Sequence, residues 1–452
     1  MKKILFTGLT GLTYAAQLTA QQPNIVYIFT DQQTASAMSC AGNLNLSTPN
    51  MDRLAREGVR FTEAYCAAPL STPSRAAMIT GVTPGTLNML KNNTNFPEKY
   101  KNSTIGTVLS EAGYNCAYAG KWHLPESSLS ISKGNEKTYG FTVLHEHNDY
   151  GLAESCIKFI NQQKKEPFFL VASFDNPHNI CEYARNQVLP FAQIKEPAIA
   201  DCPNLPGNFQ PSPYEAEIIR NEQMQSFPTY PVINYSEDDW RRYRNAYFRL
   251  TEIVDAEIGK ILKALDDNHL TENTIIIFSS DHGDGTGAHQ WNQKSALFEE
   301  VVNIPFIVRM PQKKLAGTIR KEIINNGLDL MPTLCDFAGA HTPDYCLGKS
   351  LRPILENKKE QQINEYVVTE TQFDKSVTRG WMVRTPRYKY VLYDKGRNRE
   401  QLYDIQNDKN EQVNLAVESK YNVELNKHRR YLTEWIKKCG IETTGREIIP
   451  AE

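Results

Sequence analysis

The sequence predicts an α/β protein: a large, mostly parallel sheet sandwiched by helices, with a small C-terminal antiparallel sheet plus a terminal helix. Three observations predict it. Short apolar, β-branched runs alternate with stretches of helical period, the pattern of a parallel sheet covered on both faces. Asp31, Lys121, His178 and Asp281 each fall just past such a run or in the loop after it, on the rim where sheets of this kind bind ligands. After Pro353 the alternation gives way to short strands and one amphipathic closing stretch.

The elements follow in order. Residues 24–30 (NIVYIFT) are apolar without a polar face, as a central buried strand requires. Residues 48–58 read as a helix, with Thr48 as cap, Pro49 at its first position and Gly58 closing it. Residues 59–66 read as a strand, and the Ala-rich run after Pro73 as a helix. Residues 103–113 are helical and 114–119 a strand; 153–162 are helical and 167–173 a strand. Residues 236–266 form a long helix before the strand 274–280. Residues 198–232 break the alternation. They are rich in Pro, Asn and Gln, read as a loop, and suit the wall of a pocket. In the last part, 366–371, 381–384 and 388–393 are strands, and 420–439 is the terminal helix.

The chain has 452 residues, enough for one large domain and a smaller one, and its net charge of −2 provides no field for nucleic acid. Residues 1–20 join Met1-Lys2-Lys3 to an apolar run and read as a signal peptide, so a periplasmic or secreted location is expected. No other stretch is apolar and long enough to span a bilayer. Nine cysteines in an exported chain permit disulfides but leave at least one unpaired; Cys181 and Cys202 are one pair close in position.

The most informative stretch is Ser71-Thr72-Pro73-Ser74-Arg75. Proline is tolerated in the first turn of a helix, so Ser71 stands just ahead of a helix N-terminus, beside unpaired amides and a positive dipole. Arg75 lies one turn on, along the same face. Locally the stretch reads equally as a capped helix after a strand and as a place to hold an anion and attack it. Asp31, Gln32, Asp281 and His282 lie at two predicted strand ends. Their carboxylates and amide oxygen suit a hard cation such as calcium, although Asp-His-Gly alone is an ordinary turn. The imidazole of His282 is a poor calcium ligand, which leaves it either in the ligand set or just behind it.

The run resembles the signature of the formylglycine-dependent (type I) sulfatases of the alkaline phosphatase superfamily, Cys/Ser-x-Pro-Ser-Arg followed by Thr80-Gly81. The resemblance continues through Asp31-Gln32, Gly120-Lys121-Trp122-His123, Pro177-His178, Ser280-Asp281-His282-Gly283-Asp284, Gly287-Ala288-His289 with Lys294, Asp329-Leu330-Met331-Pro332-Thr333 and Leu402-Tyr403-Asp404-Ile405. It implies a sulfatase domain over 21–355 and a C-terminal subdomain over 356–452. Ser71 would be the residue oxidised to formylglycine, by a serine-type formylglycine-generating enzyme. Gln32 and His282 stand where the family commonly has acidic or amide side chains.

The resemblance also implies the roles. Asp31, Gln32, Ser71, Asp281 and His282 would hold calcium. Ser71 (as formylglycine), Arg75, His123 and His178 would be catalytic, and Lys121, Lys294 and His289 would bind the substrate. The hydrated aldehyde attacks sulfur, His178 with His123 and Lys294 steadies the leaving oxygen, and the second hydroxyl expels sulfate. Singly, Lys121 and Lys294 read as solvated lysines and His178 as a loop histidine. The implied substrate is a sulfated carbohydrate of glycosaminoglycan or mucin type. Trp122, Trp291, Tyr230 and Tyr235 are aromatic candidates for a sugar site. The alternatives are a phosphodiester or phosphonate monoester hydrolase of the same superfamily, and a non-catalytic protein that binds sulfated sugar through unmodified Ser71.

Overall fold

Strand β1 (Asn24–Asp31) is buried at every residue in the computed structural model, which describes residues 22–124, 139–163, 166–356 and 362–443. The expected signal segment, residues 1–20, lies outside the described residues. β1 pairs in parallel with β6 (Phe168–Pro177) and β7 (Thr274–Ser280). The eight-stranded sheet runs β5 (Thr142–Glu146), β4 (Asn115–Gly120), β6, β1, β7, β8 (Phe306–Arg309), β2 (Val59–Phe61), β9 (Thr318–Arg320). Only β8 runs against its neighbours. The fold is therefore the predicted one.

Alternate residues of the central strands enter two cores. On one face Val26, Ile28, Leu170 and Ile276 pack under the helices Leu152–Gln162 and Glu237–Asp267. On the other, Tyr27, Phe29, Val171 and Ile277 meet the helices Ser71–Thr80, Ile105–Glu111 and Asn326–Ala338. The C-terminal sheet is antiparallel, in the order β11 (Val367–Gln372), β12 (Arg379–Arg384), β13 (Tyr388–Tyr393), β14 (Glu400–Asp404), and the helix Asn422–Cys439 packs on it.

Several local expectations are corrected. The predicted strand 59–66 divides into β2 and β3 (Ala64–Tyr65). β3 leaves the large sheet to pair with β10 (Ile324–Asn325). Thr48 does not cap its helix with its side chain. The Asp255 carboxylate does so from the long helix, accepting from Asn50 N at 3.2 Å and Met51 N at 2.8 Å. Ser71 is the first residue of its helix rather than a residue ahead of it, and Pro73 is the third. The stretch 198–232 contains the helix Glu217–Ser226. Its buried face includes the polar Glu222 and Gln223, so no apolar stripe announces it. All nine cysteines are free, so Cys181 and Cys202 do not bridge. No helix among the described residues is long and apolar enough to cross a membrane.

Candidate active site

The strands β1, β4, β6 and β7 run parallel, so their carboxyl ends share one rim. The register places Thr30 beside Ser280, Asp31 beside Pro177 and Gly120 beside Ser173. Gly120 is required there: a Cβ would stand 2.1 Å from Ser173 O. Lys121 then continues the strand, donating its N–H to Ser173 O at 2.9 Å.

Ser71, Asp31, Asp281 and His282 meet under this rim, all fully buried. Ser71 Oγ lies 3.1 Å from His282 Nε2 and 3.5 Å from Asp31 Oδ1. His282 Nδ1 lies 3.0 Å from Gly283 O, which can only accept, so Nδ1 carries the hydrogen. The lone pair of Nε2 therefore faces Asp31 Oδ1 at 3.8 Å and Asp281 Oδ1 at 3.7 Å. Two carboxylate oxygens and one imidazole nitrogen converge, an arrangement able to hold a metal ion.

The outer oxygens of the two carboxylates are taken by cations. Arg75 donates from Nη2 to Asp31 Oδ2 at 2.8 Å and from Nε to Asp281 Oδ2 at 2.9 Å. Lys121 Nζ bridges Asp31 Oδ2 at 2.9 Å and Asp175 Oδ1 at 2.7 Å. Burial raises the Asp31 carboxyl, but the charges of Lys121 and Arg75 outweigh it and hold the group well below the usual carboxylate range. Asp281 moves up, through burial and then the charge of Asp31. His282 is pushed down by burial and is neutral, as a ligand must be.

The remaining predicted residues are placed unequally. His178 Nε2 stands 2.9 Å from Lys294 Nζ, and Lys294 also donates to Gln32 Oε1 at 3.2 Å. Burial, then Lys121 and Lys294, keep His178 neutral. His123 adopts φ 52°, and burial with Lys121 depresses it to about 2. The Gln32 side chain is shared, its oxygen with Lys294 and its Nε2 with Asp284 Oδ2 at 2.7 Å. His289 is brought elsewhere. It is fully buried, stacks on Phe298 with centroids 4.2 Å apart, and groups with Glu300 and Glu411.

A cleft of about 370 Å³ is lined by His123, His178 and Lys294 on its chemical side. Its walls include Glu222, Tyr230 and Val232 from the expected wall segment, and Phe373 to Lys375 after β11. His289 does not line it. Of the aromatic candidates, Trp291 and Tyr230 do. Trp122 packs against Tyr118 and Tyr139, and Tyr235 against Trp240.

Four residues of the site escaped sequence reasoning. Asp284 accepts from Gln32 and Tyr243, yet had no role assigned. Asp175 orders Lys121; its place three residues before His178 was the available signal. Asp149, in the loop after β5, is buried and accepts from Asp175 N at 2.6 Å, Asn176 N at 3.0 Å and Asn176 Nδ2 at 2.8 Å. Asn292 lines the cleft with Nδ2 unpartnered, and nothing local marked it.

A buried serine at a helix start, paired cations and a possible metal cluster lie together on the rim of a mostly parallel sheet, the arrangement that the resemblance to hydrolases of the alkaline phosphatase superfamily implies. Comparison with known proteins makes the class narrower. The Sulfatase family model matches residues 23–340, and the model described as N-sulphoglucosamine sulphohydrolase, C-terminal, matches residues 287–438. The chain is 33% identical over 451 residues to a Delta 4,5-hexuronate-2-O-sulfatase of Bacteroides thetaiotaomicron, covering 95% of this chain and 92% of the relative. It is 27% identical to an N-acetylglucosamine-6-O-sulfatase of the same organism, covering 89% of this chain and 84% of the relative. A solved 2-O GAG sulfatase superposes with a TM-score of 0.80 at 31% identity, covering 93% of both chains. The chain belongs to the sulfatase family and is a sulfuric ester hydrolase.

Proposed function

We propose that this protein is an exported sulfatase that removes sulfate esters from glycosaminoglycan-type sugars, using formylglycine made from Ser71 and a calcium ion. The observation that carries the reading is the junction of two sites. His178 and Lys294 line a cleft of sugar size, and Lys294 and His178's neighbour Asp175 bond onward to Gln32 and Lys121 beside the buried Ser71 cluster. The hexuronate and hexosamine substrates named for the relatives support the substrate class. The apolar run in residues 1–20 supports export.

The donor set fits a divalent cation. Asp31, Asp281 and His282 would hold it, and their inward atoms have no ammonium or guanidinium on them. Bound there, it supplies positive charge beside residue 71. Formylglycine supplies a hydrated aldehyde as the nucleophile, which a plain serine cannot regenerate after sulfate transfer.

This chain's own residues do the rest. Arg75 and Lys121 offset the two buried carboxylates, and their positive charge stabilises negative charge growing on the sulfate oxygens. His178 and Lys294 share one proton position facing the cleft, where the leaving alcohol oxygen must be steadied. The segment 222–232 and the turn 373–375 line the cleft, and walls of this kind favour an end residue over the interior of a long chain.

Two measurements test this. Mass spectrometry of the Ser71 peptide from a host with a serine-type formylglycine-generating enzyme is expected to show the aldehyde. The matured protein is then expected to desulfate sulfated hexuronate or hexosamine sugars much faster than matched phosphate esters. Full turnover by verified unmodified serine, or preference for the phosphate series, would refute the reading.

A further inference from the structure

Asp284 follows His282 by two residues, is fully buried, and has no part in the chemistry above. Four donors converge on its carboxylate. Oδ1 accepts from Thr286 N at 2.7 Å, and Oδ2 from Gln293 N at 3.1 Å. Tyr243 Oη reaches both oxygens at 3.0 Å, and Gln32 Nε2 donates to Oδ2 at 2.7 Å. One carboxylate thus joins the residue after β1, the long helix Glu237–Asp267 and the loop that carries Lys294.

This arrangement fixes the Gln32 amide. A carboxylate whose two oxygens already accept from backbone N–H groups calls for another donor, so the NH2 end of Gln32 faces it. The amide oxygen is thereby turned onto Lys294 Nζ, at 3.2 Å. An ammonium can only donate, so the flipped amide would meet like groups at both ends. Lys294 spends a second hydrogen on His178 Nε2 at 2.9 Å and keeps a third for the cleft it lines. Gln32 and Gln293, which flank this path, both hold left-handed backbone, at φ 72° and φ 66°. Residues other than glycine persist there when their surroundings over-determine them, as at functional sites. Asp284 restrains both.

We propose that Asp284 is a positioning residue for Lys294. It acts through Gln32, whose oxygen it aims at the ammonium, and through Gln293, whose N–H anchors the backbone one residue before Lys294. Without it Lys294 loses its fixed place beside His178, and the leaving oxygen loses an aligned donor. The inference rests on the sulfatase reading, in which Lys294 and His178 serve the leaving group.

The test is a double-mutant cycle of Asp284→Asn and Lys294→Ala in matured enzyme at saturating calcium, read as kcat and KM on a sugar sulfate and an aryl sulfate. Asp284→Asn is expected to lower kcat on the sugar sulfate about 10–100-fold with little change in KM, the scale of a misplaced catalytic group. The loss on the aryl sulfate, whose leaving group needs no proton, is expected to be much smaller. In the Lys294→Ala background the same substitution is expected to cost less than about twofold, because the group it positions is gone. A full loss persisting in that background, or equal losses on the two esters, would overturn the positioning role and leave the sulfatase reading intact. If Asp284→Asn does not fold, Gln32→Met severs the link while Thr286, Tyr243 and Gln293 still hold Asp284. The same coupling to Lys294→Ala is expected there, and additive losses would overturn the proposal. Failure of the wild type, with formylglycine verified, to hydrolyse any sulfate ester would instead overturn the functional reading beneath it.

Discussion

Lys294 Nζ stands 2.9 Å from His178 Nε2. Two residues 116 positions apart thus form one donor pair at the inner end of the cleft, and burial together with nearby ammonium groups keeps the imidazole neutral. An ammonium beside a neutral imidazole can deliver a proton without a second positive charge being buried. His178→Ala and Lys294→Ala are expected to lower kcat on sugar sulfates by roughly 10²–10⁴-fold. The loss on an aryl sulfate, whose leaving group needs no proton, is expected to be much smaller. Equal losses on both, in steady-state kinetics, would remove the pair from leaving-group protonation.

Arg75 links the two buried carboxylates, and Arg75→Met is expected to leave Asp281 without its cation and Asp31 with Lys121 alone. The cost is about 3–5 kcal/mol of stability, the usual penalty for stripping one partner from a buried ion pair. Chemical denaturation of the full chain measures it. A change under ~1 kcal/mol would show that Lys121 suffices alone.

Calcium is expected to stabilise the protein by mass action, about 2.7 kcal/mol at a hundredfold excess over Kd. Asp281→Ala is expected to abolish that increment, and chelation to reverse it in the wild type. An unchanged calcium response in Asp281→Ala would take Asp281 out of the ligand set.

Asp149 accepts three N–H groups from Asp175 and Asn176, so it sets the loop that carries Asp175 to Lys121 and His178 to Lys294. Burial, then the charge of Asp175, raises its carboxyl to about 7. A folded-state value above the unfolded one means stability is fully present below pH ~4 and is lost as pH rises through about 7. Asp149→Asn removes that titration. The stability gap between wild type and variant is therefore expected to narrow between pH 4 and pH 7, read from denaturation curves. A gap independent of pH would show that Asp149 does not titrate there.

Glu222 ties the helix Glu217–Ser226 to the turn at Lys375, joining two walls that come from distant parts of the chain. Glu222→Ala is expected to loosen the turn and raise KM for a sugar sulfate by about tenfold, more than for an aryl sulfate, since uniform binding is what it removes. An equal KM change on both substrates would place the effect at the sulfate end.

Much of the fold was legible because it is written locally. The run 24–30, the helix 48–58 and the β12–β13 pair carry periods of apolar residues that a short window reveals. The helix Glu217–Ser226 was not legible. Glu222 and Gln223 occupy its buried face and replace an apolar stripe with hydrogen bonds to remote backbone. At the site, Ser71, Asp31, Asp281 and His282 were named from the sequence and meet in space. His289 was named with them and joins Glu300 and Glu411 instead, because the turn before it, with Gly287 at φ 88°, carries it toward Phe298.

The sequence by itself determined which chemical groups this protein has and that parallel strands would bring four of them to one rim. That much follows from alternation along the chain and from the direction of β–α connections. Partnership was decided only by the tertiary structure. Lys294 for His178 and Gln32, Asp149 for Asp175, Asp255 for the helix at Pro49, and Glu222 for Lys375 are pairs separated by 26 to 262 positions. A buried donor or acceptor must be satisfied, but any suitable group can satisfy it. Which one arrives depends on the order of the strands in the sheet and on where each loop is anchored, and neither quantity is encoded within reach of a local window.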